Sequence, residues 1–485
     1  MDIQSIPTRY VLIFSGLLGL FVRTLFWRDY GTMSWDGGNH VNGGLFLARL
    51  LSNLDSPLLY ASDVSQHYSN AIGALFFYPY AYDVLSAISI LIFGANELAA
   101  RLPNMIFSVA IFIPIYLLAK ELYDERVGSV AAILASLSPY FIQWGGRVLV
   151  DVPFVFFLTL SLYFTARIGD SDTNYDWIGL VISIGIASQF KPVALYAGPV
   201  LWGYILINRA RVARTLRFWV SGLVALGIAS AYLASGPLVS TLLPGYGWVS
   251  ESTLRWVTSA PTTGSGGPHD PAIPNPEAFL VYIRLLLPQL SAPVLGLSII
   301  GITYTLRRRT NSLRAQEALL ISFIIWTYTI FTIIPNKDWR YTMPMMAPLI
   351  VFASYAIIRL NHQLDGRRAN VALALLVLVA GVGSIGETYD GAPYTTPDSG
   401  IQAAADEIDS SSGSIVYVHN QTNWVSAEAL TFYLFGADRN LEHSVKTNSP
   451  EKADWLVSSN SYQDSDWKLY NKYGDEKTTF LYKRV

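Results

Sequence analysis

Cysteine is absent from the 485 residues. That excludes disulfides, thiolate chemistry and Cys-ligated metals, without fixing the compartment. Charge is sparse as well. Asp, Glu, Lys and Arg make up 14% of the chain, against about 25% in an ordinary soluble domain. So little charge implies a chain dissolved mostly in lipid. The net charge of −2 points away from a nucleic-acid partner. No internal repeat or low-complexity tract stands out. No small-residue cleavage site follows the first apolar run, near Tyr10 to Trp27, so this run is expected to be a retained helix and not a signal peptide.

What the chain does hold is apolar and aromatic. Hydrophobic residues form 52% of it, and its 13 Trp and 29 Tyr suit a protein with many membrane interfaces. A spanning helix needs roughly 20 mostly apolar residues. Candidate spans lie near 10–27, 102–119, 128–146, 152–168, 177–190, 192–208, 218–236, 288–306, 317–335, 343–360 and 370–386. A further run, "ALFFYPYAYDVLSAISILIFG" at 74–94, is long enough to span. It also holds Pro79 inside an aromatic cluster and Asp83 in its first half, and we place it in the interface.

Lys and Arg collect on the cytoplasmic side of membrane proteins. Here the basic loops are Lys120/Arg126, Arg209/Arg211/Arg214/Arg217, Arg307/Arg308/Arg309/Arg314 and Arg359/Arg367/Arg368, on alternate loops of that span list. The N-terminus joins them inside. The outer side then holds 28–101, 147–151, Lys191, 237–287, 337–342 and everything after 386. If 74–94 spans, position 36 moves to the cytoplasm. The expected architecture is therefore a polytopic α-helical membrane protein of about eleven transmembrane helices. Residues 1–386 form the membrane domain, with interfacial helices in a first outer loop at 28–101. Residues 387–485 are polar and read as a small extracytoplasmic α/β domain, with strands at 414–418, 453–457 and "TFLYKR" and a helix near 426–435. The Gly- and Pro-rich stretch at 260–276 reads equally as a lid or as a plain connector.

Positive charge at the outer helix ends runs against the usual bias. Arg101 opens one span, Arg147 and Asp151 cap two, Lys191 lies between two, and Lys337, Arg340 and Tyr341 precede another. A cation near hydrocarbon normally finds a partner or a wet cavity. Several at one depth suggest a shared anion, and a phosphate near the bilayer surface fits, bound bidentately by Arg and as a point charge by Lys. Two plainer readings stand beside this one. Each cation alone could snorkel to the interface, and Arg147 and Asp151 could pair at i and i+4.

The stretch 97–164, with its Arg-Leu-Pro opening, Ser-Pro at 138–139 and Arg then Asp-x-Pro at 147–153, resembles the membrane core of GT-C glycosyltransferases. "ASQFKPVAL" (187–195) and "KDWRYTMPMMAPL" (337–349) resemble later segments of that superfamily. The similarity is diffuse over 10–360 and is strongest to dolichyl-phosphate-mannose protein mannosyltransferases and the aminoarabinose transferases that modify lipid A. The resemblance implies a catalytic acidic residue in the first outer loop, the position of Asp36 in "GTMSWDGGNHVNGG". The family often has Asp-Glu there, whereas this chain has Asp36-Gly37. The resemblance also sets 74–94 beside the membrane surface.

The implied reaction moves a sugar from a polyprenyl or dolichyl phosphate to an acceptor hydroxyl, with inversion. Asp36 serves as base, and Asp151 orients a cation or the sugar. Arg101, Arg147, Lys191, Lys337, Arg340 and Tyr341 hold the donor phosphate. The glycines at 37–38 and 43–44 would let substrate approach the backbone, and Trp35 could stack on a sugar. The plainer reading of Asp36 is a cap for a helix starting near Asn39. Partners are membrane lipid, the lipid-linked donor and an acceptor protein, glycan or lipid. No tightly bound cofactor is expected. Asp36, His40 and His67 are too few close ligands for a divalent metal, and the resemblance implies a metal-free reaction. "QTNWVSAEAL" (421–430) does not match the Trp-Trp-Asp signature of oligosaccharyltransferases. The rival class is a transporter or flippase of lipid-linked substrate, which calls for mid-bilayer charges and duplicated helix groups.

Overall fold

The computed structural model describes residues 7–27, 35–68, 71–72, 75, 78–171, 173–242, 276–307, 315–334, 337–363, 366–390, 400–410, 414–419, 421, 425–437, 441, 443–446, 450–474 and 478–485. Of the 260–276 loop, residues 260–275 lie outside the described residues. Helices dominate. The first, α1 (Thr8–Phe26), is followed by α2 (Trp35–Ser52), α3 (Pro57–His67) and α4 (Ala81–Phe93). The bundle continues with α5 (Glu97–Ala110), α6 (Phe112–Leu122), α7 (Glu125–Ser136), α8 (Pro139–Gly145), α9 (Asp151–Asp170) and α10 (Asn174–Phe190). A 3-10 turn, Pro192–Ala197, leads into α11 (Gly198–Asn208), and a second, Ala210–Arg214, into α12 (Leu216–Leu242). Then come α13 (Glu277–Leu290), α14 (Ala292–Arg307), α15 (Ala315–Ile333), the turn Trp339–Thr342, α16 (Met343–Asn361) and α17 (Gly366–Asp390).

Each of the eleven candidate spans coincides with helix. Among the described residues, five helices are long and apolar enough to cross a membrane, or up to seven if each bent pair is one span. The bent pairs are α7 with α8, at 47°, and α13 with α14, at 115°. Pro139 opens α8, where its missing N–H costs no hydrogen bond. Between α13 and α14, Ser291 has φ 73°, a conformation few non-glycine residues adopt. The shorter apolar helices are Ala81–Phe93, Pro192–Asn208, Leu216–Tyr232 and Leu375–Gly386. The 13-residue α4 is about 20 Å long at 1.5 Å per residue, short of a roughly 30 Å hydrocarbon core.

Capping explains several boundaries. Asp124 precedes α7 and accepts from the backbone N–H of Arg126 and Val127 at 2.8 and 2.9 Å. Thr173 and Asp176 form a reciprocal capping box at α10. Close packing explains others. A Cβ on Gly301 would sit 2.0 Å from the Phe352 carbonyl oxygen, so α14 meets α16 through its glycine. Arg23, fully buried in α1, donates to the Ser108 hydroxyl at 2.7 Å and to the Ser136 carbonyl at 2.7 Å, tying α1 to α5 and α7. Such satisfaction is what a charge inside a helical bundle requires.

The C-terminal part is a five-stranded sheet of order β2-β1-β3-β5-β4, with β1 (Ile415–His419), β2 (Ser444–Lys446), β3 (Trp455–Ser458), β4 (Trp467–Tyr473) and β5 (Thr479–Arg484). β1 runs parallel to both neighbours, while β5 is antiparallel to β3 and β4. Two helices, α18 (Ile401–Asp409) and α19 (Ala427–Ala437), accompany it. The helix and three strands expected from the sequence are present; α18, β2 and β4 are additional.

This part docks on the first-loop helices through α19 and α2. The Asn42 amide donates to the Glu428 carbonyl at 2.8 Å, and Arg49 donates to the Gly436 carbonyl at 2.9 Å with its guanidinium 4.5 Å from the Phe435 ring. Gly38 of α2 serves this docking, while Gly43 and Gly44 pack α2 on α4. A Cβ on Gly38 would lie 2.8 Å from Glu428 Cβ, on Gly43 2.6 Å from Asp83 Oδ2, and on Gly44 2.4 Å from Ser86 Cβ. The expectation that Gly38, Gly43 and Gly44 leave room for substrate is therefore corrected: α19 and α4 fill that room.

Candidate functional site

The ends of α5, α8, α9, α10 and α16 that carry the candidate cations lie toward the end of the bundle where the C-terminal part docks. Glu97 at the start of α5 accepts from the Tyr433 hydroxyl of α19. Two turns on, Asn104 donates to the carbonyls of Trp144 and Arg147 at 2.7 and 2.8 Å, holding the α8–α9 connection against α5.

Asp151 is the centre of the charged cluster and is 1% exposed. Its Oδ1 accepts from Lys191 Nζ at 2.5 Å, and Arg340 Nη1 lies 3.6 Å from its Oδ2. Asp151 thus takes its partners from the far end of α10 and the turn before α16. Arg147 turns its guanidinium to the Trp144 ring, 4.6 Å from the centroid, and Arg340 approaches the same ring at 6.0 Å. The Tyr341 ring stacks on Phe331 at 4.7 Å, with Lys191 Nζ 6.0 Å from its centroid. Arg147, Asp151, Lys191, Arg340 and Tyr341, up to 194 residues apart in sequence (341 minus 147), thus form one neighbourhood.

The turn Trp339–Thr342 holds Arg340 in place. The Trp339 carbonyl accepts from the Tyr140 hydroxyl, from Gln289 Nε2 at 3.2 Å and from the Thr342 hydroxyl at 2.8 Å. Asp338, which the sequence reading left without a role, accepts from Arg340 Nε at 2.9 Å, from its Nη2 at 2.5 Å and from its backbone N–H at 2.9 Å. Burial pushes the Asp338 carboxyl up, and the Arg340 guanidinium overrides it, holding the group below the usual carboxylate range. The spacing Asp-x-Arg in "KDWRY" is the signal that could have found this pair.

Two candidates have other partners. Lys337 donates to the carbonyls of Thr332 at 2.7 Å, of Phe331 at 3.2 Å and of Ile334, the last turn of α15. An ammonium has three donors, so Lys337 caps α15 and reaches a phosphate only by leaving these carbonyls. Arg101 pairs with Glu97 at 2.8 Å, with 12% of its side chain exposed.

Trp35 and Asp36 open α2, and their side chains lie outside the described residues. The helix starts at Trp35 and not near Asn39, so Asp36 stands inside its first turn and is not the cap before Asn39. An acidic residue there is favoured by the helix dipole. His40, one turn on, is 2% exposed and its ring lies 4.7 Å from Tyr78 and 5.5 Å from Tyr82. His67 instead bonds the His443 carbonyl at 3.2 Å and Ser444 at 3.1 Å.

Residues 78–234 match the family model of dolichyl-phosphate-mannose-protein mannosyltransferases. Over 323 residues the chain is 25% identical to the undecaprenyl phosphate-alpha-4-amino-4-deoxy-L-arabinose arabinosyl transferase 2 of Proteus mirabilis (strain HI4320). That match covers 61% of this chain and 55% of the relative. The fold is similar to that of ArnT from Cupriavidus metallidurans, solved in the apo state and bound to undecaprenyl phosphate, with TM-score 0.64, 14% identity, and coverage of 98% of this chain and 97% of that one. It is also similar to the Archaeoglobus fulgidus oligosaccharyltransferase, with TM-score 0.60, 13% identity, and coverage of 92% and 65%. These proteins are transferases by name, which favours an enzyme over the transporter or flippase reading. In sequence and fold the chain is thus similar to membrane glycosyltransferases of the GT-C kind, the dolichyl-phosphate-mannose-protein mannosyltransferases and the aminoarabinose transferases among them.

Proposed function

We propose that the protein transfers a sugar from a polyprenyl phosphate to an acceptor hydroxyl, with inversion, at the membrane face where Asp151, Lys191 and Arg340 meet. The observation that carries this reading is the convergence of those three helix tips, with Arg147 and Tyr341 beside them. Arg147, Lys191 and Arg340 outnumber Asp151 and Asp338 by three to two, a surplus suited to an anion. Asp151 lets Lys191 and Arg340 stand close together and aimed, where two unpaired cations at this depth would repel.

The charge bookkeeping fits a phosphate leaving group. The acceptor oxygen attacks the anomeric carbon and its proton passes to the Asp36 carboxylate. The anomeric C–O bond breaks with its electron pair on the phosphate, which changes from a monoanionic diester to a dianionic monoester. Fixed cations stabilise that developing charge more than the ground state, so no general acid is needed. A carboxylate base contributes typically 10²- to 10⁴-fold. In this reading all eleven apolar stretches cross the membrane, the N-terminus is cytoplasmic, and residues 387–485 and the first loop are extracytoplasmic. The donors named for the relatives, lipid-linked sugars on undecaprenyl or dolichyl phosphate, are the class to try first. The acceptor is a hydroxyl on a protein, glycan or lipid.

The experiment is transfer by purified protein in vesicles with a panel of polyprenyl-phosphate sugars. Wild type should turn over at least one donor, with the product anomer inverted. Asp36→Asn should lower transfer by at least about 10²-fold with donor affinity nearly intact. Undiminished turnover in that variant removes the base, and a retained anomeric configuration removes single displacement.

A further inference from the structure

The opposite end of the molecule carries an arginine array that the transfer reaction does not use. α9 runs 20 residues from Asp151, about 30 Å at 1.5 Å per residue, the thickness of a hydrocarbon core. Near its far end the 3-10 turn Ala210–Arg214 joins α11 to α12. Arg209 Nε clamps that turn to α9 through the Gly169 carbonyl at 2.9 Å, and Val212 is buried beneath it. Arg211, Arg214 and Arg217 are exposed and three residues apart. At three residues per turn, Arg211 and Arg214 lie on one side of the 3-10 helix, and Arg217 follows in the first turn of α12.

No described carboxylate lies within ion-pair distance of these three arginines. Asp176, in the first turn of α10, is held by Arg167 at 2.6 Å, and among the described residues Arg217 donates to the Asn174 side-chain carbonyl at 2.8 Å. Apolar surface flanks the charge. Ile207 is 84% exposed, Leu216 78% and Trp219 60%, with the Trp219 indole N–H donating to the Ala213 carbonyl at 2.8 Å. A tethered Trp at this level is an interfacial anchor. Guanidiniums on a fixed turn beside exposed aliphatic residues match a ligand with a phosphate head and acyl tails.

We propose that this turn is a binding site for an anionic phospholipid, its headgroup on Arg211, Arg214 and Arg217 and its chains against Leu216 and Ile207. The site needs nothing from the donor reading, since it lies at the other membrane face. The headgroup potential of anionic lipid attracts juxtamembrane arginines, and their loss weakens binding stepwise.

The test is native mass spectrometry of the full chain released from vesicles of equal phosphatidylcholine and phosphatidylglycerol. Wild type should retain phosphatidylglycerol in preference. The variant R211Q/R214Q/R217Q should lose roughly fivefold in preference for each arginine removed, while R211K/R214K/R217K should keep most of it. If the triple Gln variant is not monodisperse, R214Q alone should show the single step. Equal retention by wild type and the Gln variants would overturn the site. So would displacement of the lipid by inorganic phosphate, which would make it a general anion site. The same loss on replacing the exposed Lys468 and Lys472 of β4 would assign the effect to net charge and overturn it as well.

Discussion

Replacing Asp338 by Asn tests how firmly Arg340 is held. Two side-chain hydrogen bonds and a backbone cap converge on this carboxylate. The variant should lose about 1–3 kcal/mol, the usual cost of removing a hydrogen-bond partner from a buried charge. The sign with pH follows from the lowered carboxyl. A depressed group contributes stability that is fully present above its unfolded pKa and is lost as pH falls through its folded one. The gap between wild type and Asp338→Asn in thermal melts should therefore be constant near neutrality and close only below the ordinary carboxylate range. Lys337→Met separates two roles for that lysine. As the cap of α15 it should cost about 1 kcal/mol of stability, and donor affinity should fall less than in Arg340→Ala, measured by titration of the same donor. Of the six phosphate candidates in the sequence, charge type and position at helix ends found the clustered ones. The bonding of Lys337 to the chain's own carbonyls is set by how α15 ends and could not be read from them.

Helix α2 carries Asp36 on a backbone whose glycines are spent on neighbours. Gly44→Val would place side-chain atoms inside Ser86, at a site where a Cβ already falls 2.4 Å from Ser86 Cβ. The variant should lose about 2 kcal/mol or more from overpacking, with transfer reduced in parallel because α2 shifts. A melt and an activity assay on one preparation check this. Gly296, where a Cβ meets nothing within 4 Å, should tolerate Ala. A glycine that faces a ligand and one that faces a helix have the same letter, so the sequence could not distinguish them. Helix existence was far more legible. Apolar length alone marked the stretches at 10–27, 317–335 and 343–360, which match α1, α15 and α16 closely. The 115° bend after α13 was not marked, because it depends on a positive φ at Ser291, a conformation that serine rarely adopts.

Across the molecule, the Arg209–Arg217 connection lies near the end of α9 that is far from Asp151, and the C-terminal part docks on the first-loop helices. The alternation of basic loops leads to the expectation of a cytoplasmic and an outer side, whereas the three-residue β2, paired with β1 across α19, left little local trace. Because the chain has no cysteine of its own, single cysteines can report the two sides. Tyr470→Cys, at a half-exposed position in β4, should react with an impermeant maleimide from outside intact cells, and Lys120→Cys only after permeabilisation. The docking of α19 on α2 through Asn42 and Arg49 further ties the C-terminal part to the loop that bears Asp36. Asn42→Ala should loosen that contact and raise protease sensitivity near residue 390.

Binding of polyprenyl phosphate without its sugar tests the convergence of Asp151, Lys191 and Arg340 most directly. Wild type should bind the lipid phosphate, and Lys191→Met and Arg340→Ala should each weaken it about tenfold or more, as loss of a charge-assisted hydrogen bond implies. Equal affinity in all three proteins would contradict a phosphate cradle at these helix tips.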